Sequence, residues 1–86
     1  MAFYKIEIKA TARKDLERLQ PSTAGRIIAA IDDLAIQPYP QGVRKLKGFE
    51  YRFRIRIGDY RVIYEVRNSI LTVFVIRIGH RKEIYR

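Results

Sequence analysis

The sequence predicts a single α+β domain covering the whole 86-residue chain, in which an antiparallel sheet carries two N-terminal helices on one face. Residues 51–57 alternate charged and apolar side chains, as a strand with one buried face does. Residues 71–78 form a nearly continuous apolar run of strand length. Ile27, Ile31 and Leu34 recur at helical spacing. The predicted order of elements over residues 1–86 is β-α-α-β-β-β.

The first half of the chain is predicted to hold one strand and both helices. The strand covers residues 3–9, where alternate positions are apolar. A short helix follows over residues 12–19, with Thr11 as its N-cap. The second helix runs over residues 21–35, because Pro21 is tolerated in the first turn of a helix.

The second half is predicted to hold three strands and their turns. The segment 43–48 leads into the first of them, and Tyr51 and Tyr64 are expected in the core. Gly58 and Asp59 have the composition of a tight hairpin turn. In order, the elements are a loop at 37–42, a strand at 51–57, the turn at 58–59, a strand at 60–66, a turn at 68–69, a strand at 71–78 ended by Gly79, and a basic tail at 80–86.

Positive charge is concentrated in the second half of the chain. The formal net charge is +9 and the pI is about 10.3. Residues 1–43 carry a net charge of +1 and residues 44–86 carry +8. A basic, strand-rich half is typical of a protein that binds nucleic acid. An acidic protein partner, or a basic surface that is merely solvated, would give the same composition.

Several classes of protein are disfavoured by composition. The chain has no cysteine, so it has neither disulfides nor thiolate metal ligands, and its one histidine cannot form a multi-histidine zinc site. The N-terminus lacks the apolar core of a signal peptide, and no apolar run approaches the length of a membrane span. We therefore expect a soluble cytoplasmic protein with no membrane association, no cofactor and no metal.

The most informative feature is a row of arginines in the first predicted strand of the second half. Arg52, Arg54 and Arg56 occupy alternate positions and therefore project from one face. Arg61 follows the turn and is expected near that row, and Arg77 is expected on the same exposed face near Arg61. The row together with Arg61 makes four fixed cations on one sheet face, which predict a surface that binds phosphates.

These residues carry a resemblance that covers nearly the whole chain. KLKG at 45–48, YRFRIRIGDYRVIYEV at 51–66, LTVFVIRIGHRKEIY at 71–85 and the charged helix ATARKDLERL at 10–19 resemble the RelE/ParE-type toxins of type II toxin–antitoxin systems. Arg81 and Tyr85 favour the RelE branch. The resemblance implies the RelE-like fold and cleavage of mRNA, typically in the ribosomal A site, as a metal-independent endoribonuclease.

The resemblance also implies roles for individual residues. The catalytic set is Arg54, Arg61, Arg81 and Tyr85. The residues expected to bind or position RNA are Lys45, Lys47, Arg52, Arg56, Arg77 and His80; for the two lysines, surface solubility is an equal explanation. Some family members carry lysines where this chain has arginines on the basic strand. Arginine holds phosphate well but is a poor general base.

Proton transfer is assigned to Tyr85 by the resemblance. Free tyrosine has a pKa of about 10, so a tyrosine that acts as a base needs cations nearby. His80 is the alternative, because histidine is the side chain best suited to acid–base chemistry near neutral pH. Tyr60 flanks Arg61 and is considered as a surface for base stacking.

The expected partners are a cognate RelB-like antitoxin, mRNA and the ribosome, with a toxin–antitoxin hetero-oligomer as the assembly. Two other functions remain open from the sequence. One is inhibition of DNA gyrase, as in the ParE branch, since a shared fold does not fix the function. The other is binding of RNA or the ribosome without catalysis.

Overall fold

The computed structural model describes residues 3–82, which form two helices and one five-stranded sheet with strand order β1-β5-β4-β3-β2. The α+β class is confirmed, and both helices contribute side chains to one core against the sheet. The elements are β1 (Lys5–Ile8), α1 (Ala10–Glu17), α2 (Pro21–Asp33), β2 (Arg44–Lys45), β3 (Arg52–Ile57), β4 (Tyr60–Arg67), a 3₁₀ turn (Asn68–Ile70) and β5 (Thr72–His80).

The sheet differs from the prediction in two respects. It is mixed and not wholly antiparallel, because β1 pairs parallel to β5 from Lys5 opposite Thr72 to Ile8 opposite Val75. The two helices between these strands provide the long connection that a parallel pair needs. A fifth strand, β2, pairs antiparallel with β3. Its two residues are too few to show a periodic pattern, so the sequence did not reveal it.

Helix α1 begins and ends two residues earlier than predicted, whereas α2 begins at the predicted residue and ends two residues earlier. Thr11 is not the N-cap of α1, since Lys9 occupies that position and makes no side-chain cap. The Thr11 hydroxyl instead donates to the Ile76 carbonyl oxygen at 2.8 Å, which joins α1 to β5. The predicted apolar stripe of α2 is confirmed: Ile27, Ile31 and the following Leu34 are all buried.

A bulge in β5 determines which of its side chains face the core. Ile63 lies opposite Arg77 and Tyr64 lies opposite Val75, so Ile76 is left without a partner. The extra residue changes the alternation, which places Ile78 in the core and leaves Arg77 outside it. The strand also continues past Gly79 to His80, where the sequence had predicted its end.

Tyr64 is the largest fully buried side chain and the centre of the core. Its hydroxyl donates to the Pro38 carbonyl oxygen at 2.7 Å, which fixes the loop after α2 to the sheet. Burial, together with the nearby Tyr39, raises the pKa of Tyr64 well above its usual range. The prediction that Tyr64 packs in the core is confirmed.

Tyr64→Phe is expected to lower the free energy of unfolding by about 1–2 kcal/mol, because the Pro38 carbonyl loses its hydrogen-bond donor inside the protein. Urea denaturation at pH 7 measures this change. Tyr51→Phe, at an exposed position, is the control and should change stability by less than about 0.5 kcal/mol.

Stability is also expected to fall as the pH rises above about 10. In the unfolded chain Tyr64 ionises at its ordinary pKa, whereas in the folded chain it stays protonated to a higher pH. The free energy of unfolding is therefore at its full value below the ordinary tyrosine pKa and falls as the pH rises above it. The Phe variant should show a smaller loss between pH 9 and pH 11. An equal loss in both proteins would contradict this role for Tyr64.

Candidate nucleic-acid interface

The face of the sheet opposite the helices, here called the open face, carries the predicted arginine row. Pairing of β3 with β4 places Arg56 opposite Arg61, Arg54 opposite Ile63 and Arg52 opposite Glu65. The intervening side chains on β3, Phe53 and Ile55, pack with the core on the other side. The prediction that one face packs and the other carries guanidinium groups is therefore confirmed.

Four arginines converge at one end of the open face and are here called the arginine cluster. Arg44 of β2 lies opposite Arg54, and Arg56 lies opposite Arg61, so two pairs of like charges face each other across adjacent strands. With Gly42 they line a depression of about 200 Å³. Like charges placed directly opposite destabilise a sheet. An anion in this depression would relieve that repulsion.

Backbone carbonyls orient two side chains of the arginine cluster. Arg56 donates from Nε to the Gly58 carbonyl at 3.1 Å, and Arg61 donates from Nη1 to the Tyr60 carbonyl at 3.4 Å. Gly58 belongs to the hairpin turn and Tyr60 is the first residue of β4; Gly58 has φ +60°, a conformation that glycine adopts without strain. The turn thus positions guanidinium groups as well as joining the strands.

The other end of the open face is organised by Glu65. Its two carboxylate oxygens accept from Arg52 Nε at 3.4 Å and from Arg67 Nε at 2.9 Å. Partial burial by itself would raise the pKa of Glu65, but the hydrogen bonds and positive charges of the two arginines hold it below its usual range. Arg52 is therefore part of an ion-pair network and lies outside the arginine cluster.

The pairing of β2 with β3 places Arg44, which the sequence analysis did not select, on the open face. Lys45 lies opposite Phe53, on the side of the sheet that faces the helices, whereas its neighbour Arg44 lies on the open face. Lys47 is exposed in the loop between β2 and β3. Because β2 was not predicted, its alternation could not be used to find Arg44.

Arg77 does not lie beside Arg61 as expected. The residue opposite Arg61 is Gly79, and Arg77 donates from Nε to Asp15 Oδ2 of α1 at 3.0 Å. The same carboxylate oxygen accepts from the Ile78 backbone N–H at 2.9 Å. Asp15 thus accepts hydrogen bonds at the edge of β5 beyond the end of β1 and holds Arg77 at that edge.

His80 is separated from the arginine cluster by the sheet. It lies opposite Tyr60 on the side facing the helices, with its ring edge-on to the Tyr60 ring and the centroids 5.6 Å apart. Both rings line a groove of about 480 Å³ together with Asp15 and Arg18. Tyr60 faces the same side of the sheet as His80, so it does not offer a surface for base stacking beside Arg61.

Arg81 adjoins the hairpin turn. Its backbone N–H donates to the Asp59 carbonyl at 2.8 Å, which continues the pairing of β5 with β4 by one residue. Arg81 is the first residue after β5 and is exposed. The structure thus brings Arg54, Arg61 and the Arg81 backbone to one region. The fourth predicted catalytic residue, Tyr85, lies outside the described residues.

Residues 3–82 contain neither a group of side chains that could hold a metal ion nor a helix that could span a membrane. No group of three or more histidine, aspartate or glutamate side chains in this range is arranged to hold a metal ion. Neither helix in this range is long and apolar enough to cross a membrane.

Comparison with known proteins places this two-helix, five-stranded domain with a basic open face among bacterial and archaeal toxins. The model of the ParE toxin of type II toxin–antitoxin systems matches residues 6–85, and the chain belongs to this family.

Curated relatives of the chain are RelE-type toxins. Toxin RelG of Mycobacterium tuberculosis is 32% identical over 84 residues, which are 96% of this chain and 97% of the relative. Toxin RelE3 of Methanocaldococcus jannaschii is 31% identical over 85 residues, 94% of each chain. The chain is therefore similar to RelE-type toxins along nearly its full length.

Solved structures agree with this assignment. The toxin–antitoxin complex RelBE2 from Mycobacterium tuberculosis contains a chain that matches with a TM-score of 0.84 and 28% identity, covering 96% of this chain and 97% of that one. The archaeal RelE–RelB complex from Pyrococcus horikoshii matches with a TM-score of 0.82 and 29% identity, covering 94% and 98%. The predicted resemblance and the RelE-like fold are confirmed.

Arg61→Gln is expected to raise the free energy of unfolding by about 0.2–1 kcal/mol, because it removes one of two facing cations. Urea denaturation at low ionic strength measures the change without screening the charges. Arg67→Gln is the matched control and should lower stability by up to about 1 kcal/mol, since it breaks an ion pair with Glu65. A loss of stability in Arg61→Gln would contradict the account of like-charge repulsion.

Proposed function

We propose that this toxin is a metal-independent endoribonuclease that cleaves mRNA, at the ribosomal A site, and thereby inhibits translation. The observation that carries the proposal is the arginine cluster, in which four guanidinium groups line one depression on an open sheet face. Guanidinium groups pair with phosphate oxygens through two parallel hydrogen bonds. Similarity to RelE-type toxins along nearly the full chain supports the same function.

RNA supplies its own nucleophile for this reaction. The 2′-oxygen attacks the adjacent phosphorus and loses its proton to a base, while the bond from phosphorus to the 5′-oxygen breaks. The leaving 5′-oxygen takes up a proton, which gives a 2′,3′-cyclic phosphate and a 5′-hydroxyl. The protein has to align these atoms, move two protons and stabilise the extra negative charge on the phosphate.

Arg54, Arg61 and Arg81 are assigned to the phosphate. A well-placed donor to the developing charge contributes about 3–4 kcal/mol to catalysis. Since arginine stays protonated, none of these residues serves as the general base. That role is assigned to Tyr85 on the strength of the family resemblance, and the position of His80 across the sheet favours Tyr85 over it.

A cognate RelB-like antitoxin is proposed as the partner that silences this surface, in a toxin–antitoxin hetero-oligomer. Related toxins with solved structures form complexes with RelB. A net charge of +9, most of it on the strand-rich half, favours an antitoxin with an acidic segment that covers the arginine cluster. The same charge fits mRNA and ribosomal RNA.

Inhibition of DNA gyrase is the second candidate. It is favoured by one observation: the matching family model is described as the ParE toxin. The arginine cluster does not discriminate, because cations bind the phosphates of RNA and DNA alike.

Expression of the chain in a translation extract is expected to produce discrete cuts in a reporter mRNA, mapped by primer extension, only when ribosomes are assembled. Arg61→Ala, Arg81→Ala and Tyr85→Phe should each reduce the cleavage rate about 10²–10³-fold, as loss of a transition-state donor or base does. All variants should remain folded, as judged by circular dichroism.

Arg13→Ala is the matched control, because this arginine is exposed on α1 and donates to the Ile8 carbonyl away from the open face. It should cleave at the wild-type rate. Intact mRNA together with impaired DNA supercoiling would contradict the nuclease proposal and support the gyrase candidate. Intact mRNA with retained ribosome binding would contradict catalysis and leave a binding protein.

A further inference from the structure

The two ends of the open face have different chemistry. One end is the arginine cluster, whose lining side chains are all cationic. The other, here called the aromatic end, consists of Phe49, Tyr51, Arg52, Glu65 and Arg67. Phe49 and Tyr51 are 48% and 41% exposed, although large aromatic side chains usually bury most of their surface.

Each exposed ring is held by a guanidinium group. The Arg52 guanidinium lies 4.5 Å from the centroid of the Phe49 ring, and the Arg67 guanidinium lies 4.3 Å from that of Tyr51. The sequence had placed Tyr51 in the core by alternation, and that prediction is wrong. The strand begins only at Arg52, so alternation does not apply to Tyr51.

Glu65 fixes both guanidinium groups and alters the charge of this end. Its carboxylate oxygens bind the Nε atoms of Arg52 and Arg67, and only 19% of its side chain is exposed. A carboxylate at this position repels phosphate and offsets part of the charge of the two arginines. The aromatic end is therefore less suited to the RNA backbone than the arginine cluster, and better suited to uncharged bases.

We propose that the aromatic end is a base-binding subsite for single-stranded RNA, in which Phe49 and Tyr51 stack on bases next to the nucleotide held by the arginine cluster. The inference rests on the proposed function. Single-stranded RNA is commonly held by bases stacked on aromatic rings and guanidinium planes. The two ends share strand β3, and Arg52 is about 13 Å from Arg56 at the rise of a strand, so one short RNA segment spans both.

The subsite is tested by the affinity of the full chain for a fluorescein-labelled RNA hexanucleotide. Its 2′-O-methyl groups prevent cleavage, and fluorescence anisotropy reports binding. Phe49→Ala and Tyr51→Ala should each weaken binding about 5- to 100-fold, the range expected when a base loses its stacking partner. Tyr51→Phe keeps the ring and should recover the affinity that Tyr51→Ala loses.

Abasic hexanucleotides separate stacking from an indirect structural effect. Each of these hexanucleotides lacks the base at one position. At one or two positions the missing base should weaken binding to the wild type by the same factor as the alanine substitutions do. It should weaken binding to the alanine variants no further. Phe3→Ala removes an exposed aromatic ring that precedes β1, at the edge of the sheet away from β3, and is the control, expected to bind RNA normally.

Unchanged RNA affinity in Phe49→Ala and Tyr51→Ala would overturn the subsite, even if mRNA cleavage is confirmed. Unchanged RNA affinity with weakened antitoxin binding would overturn it as well and assign the rings to the protein interface. Failure of the wild type to bind any RNA would instead overturn the proposed function, and the subsite with it.

Discussion

Strands β3 and β4 are joined by a two-residue turn at Gly58 and Asp59, and the register that this turn sets decides what both faces of the sheet do. It aligns Ile57 with Tyr60 next to the turn and, four residues away from the turn on each strand, Phe53 with Tyr64. Because side chains alternate with a period of two, a slip of one residue would bury the arginines and expose the core. The same register brings Arg56 opposite Arg61, an arrangement that the fold alone would disfavour.

Packing of the core stabilises the domain against the repulsion between Arg56 and Arg61. Tyr64 and Val62 of β4 lie at the centre of the sheet, under the stripe of α2 that includes Ile27 and Ile31. The central strands are thus covered by helices on one side only, and the open face is left to charged and aromatic side chains. A surface that is locally unfavourable in the isolated chain is typical of a binding site, where the ligand supplies the missing opposite charge.

The alternation of β3 and the apolar stripe of α2 were predicted correctly from the sequence, and features that depend on distant contacts were not. The β3–β4 hairpin and the arginine row follow from alternation and turn composition within 14 residues. The parallel pairing of β1 with β5 joins residues more than 60 positions apart, and no local signal reports it. The side of the sheet reached by His80 depends on the bulge in β5.

Site residues followed the same rule. The open-face positions of Arg54 and Arg61 were predicted because their strands are long and regular, whereas that of Arg44 was not, because β2 has two residues. With the bulge at Ile76, Arg77 lies opposite Ile63 and its guanidinium group binds Asp15, and a bulge of one residue leaves no pattern in an apolar run. The exposed ring of Tyr51 could have been found only by knowing that the strand starts one residue later.

The dependence of RNA affinity on salt tests the central claim, that the arginine cluster binds phosphates, most directly. Each phosphate contact to a single strand contributes about 0.7 to the slope of log affinity against log salt concentration. Arg44→Gln and Arg61→Gln are expected to reduce that slope by about 0.7 each, while Arg67→Gln, whose charge is already paired with Glu65, should change it much less. Equal slopes for the wild type and the two cluster variants would contradict the account.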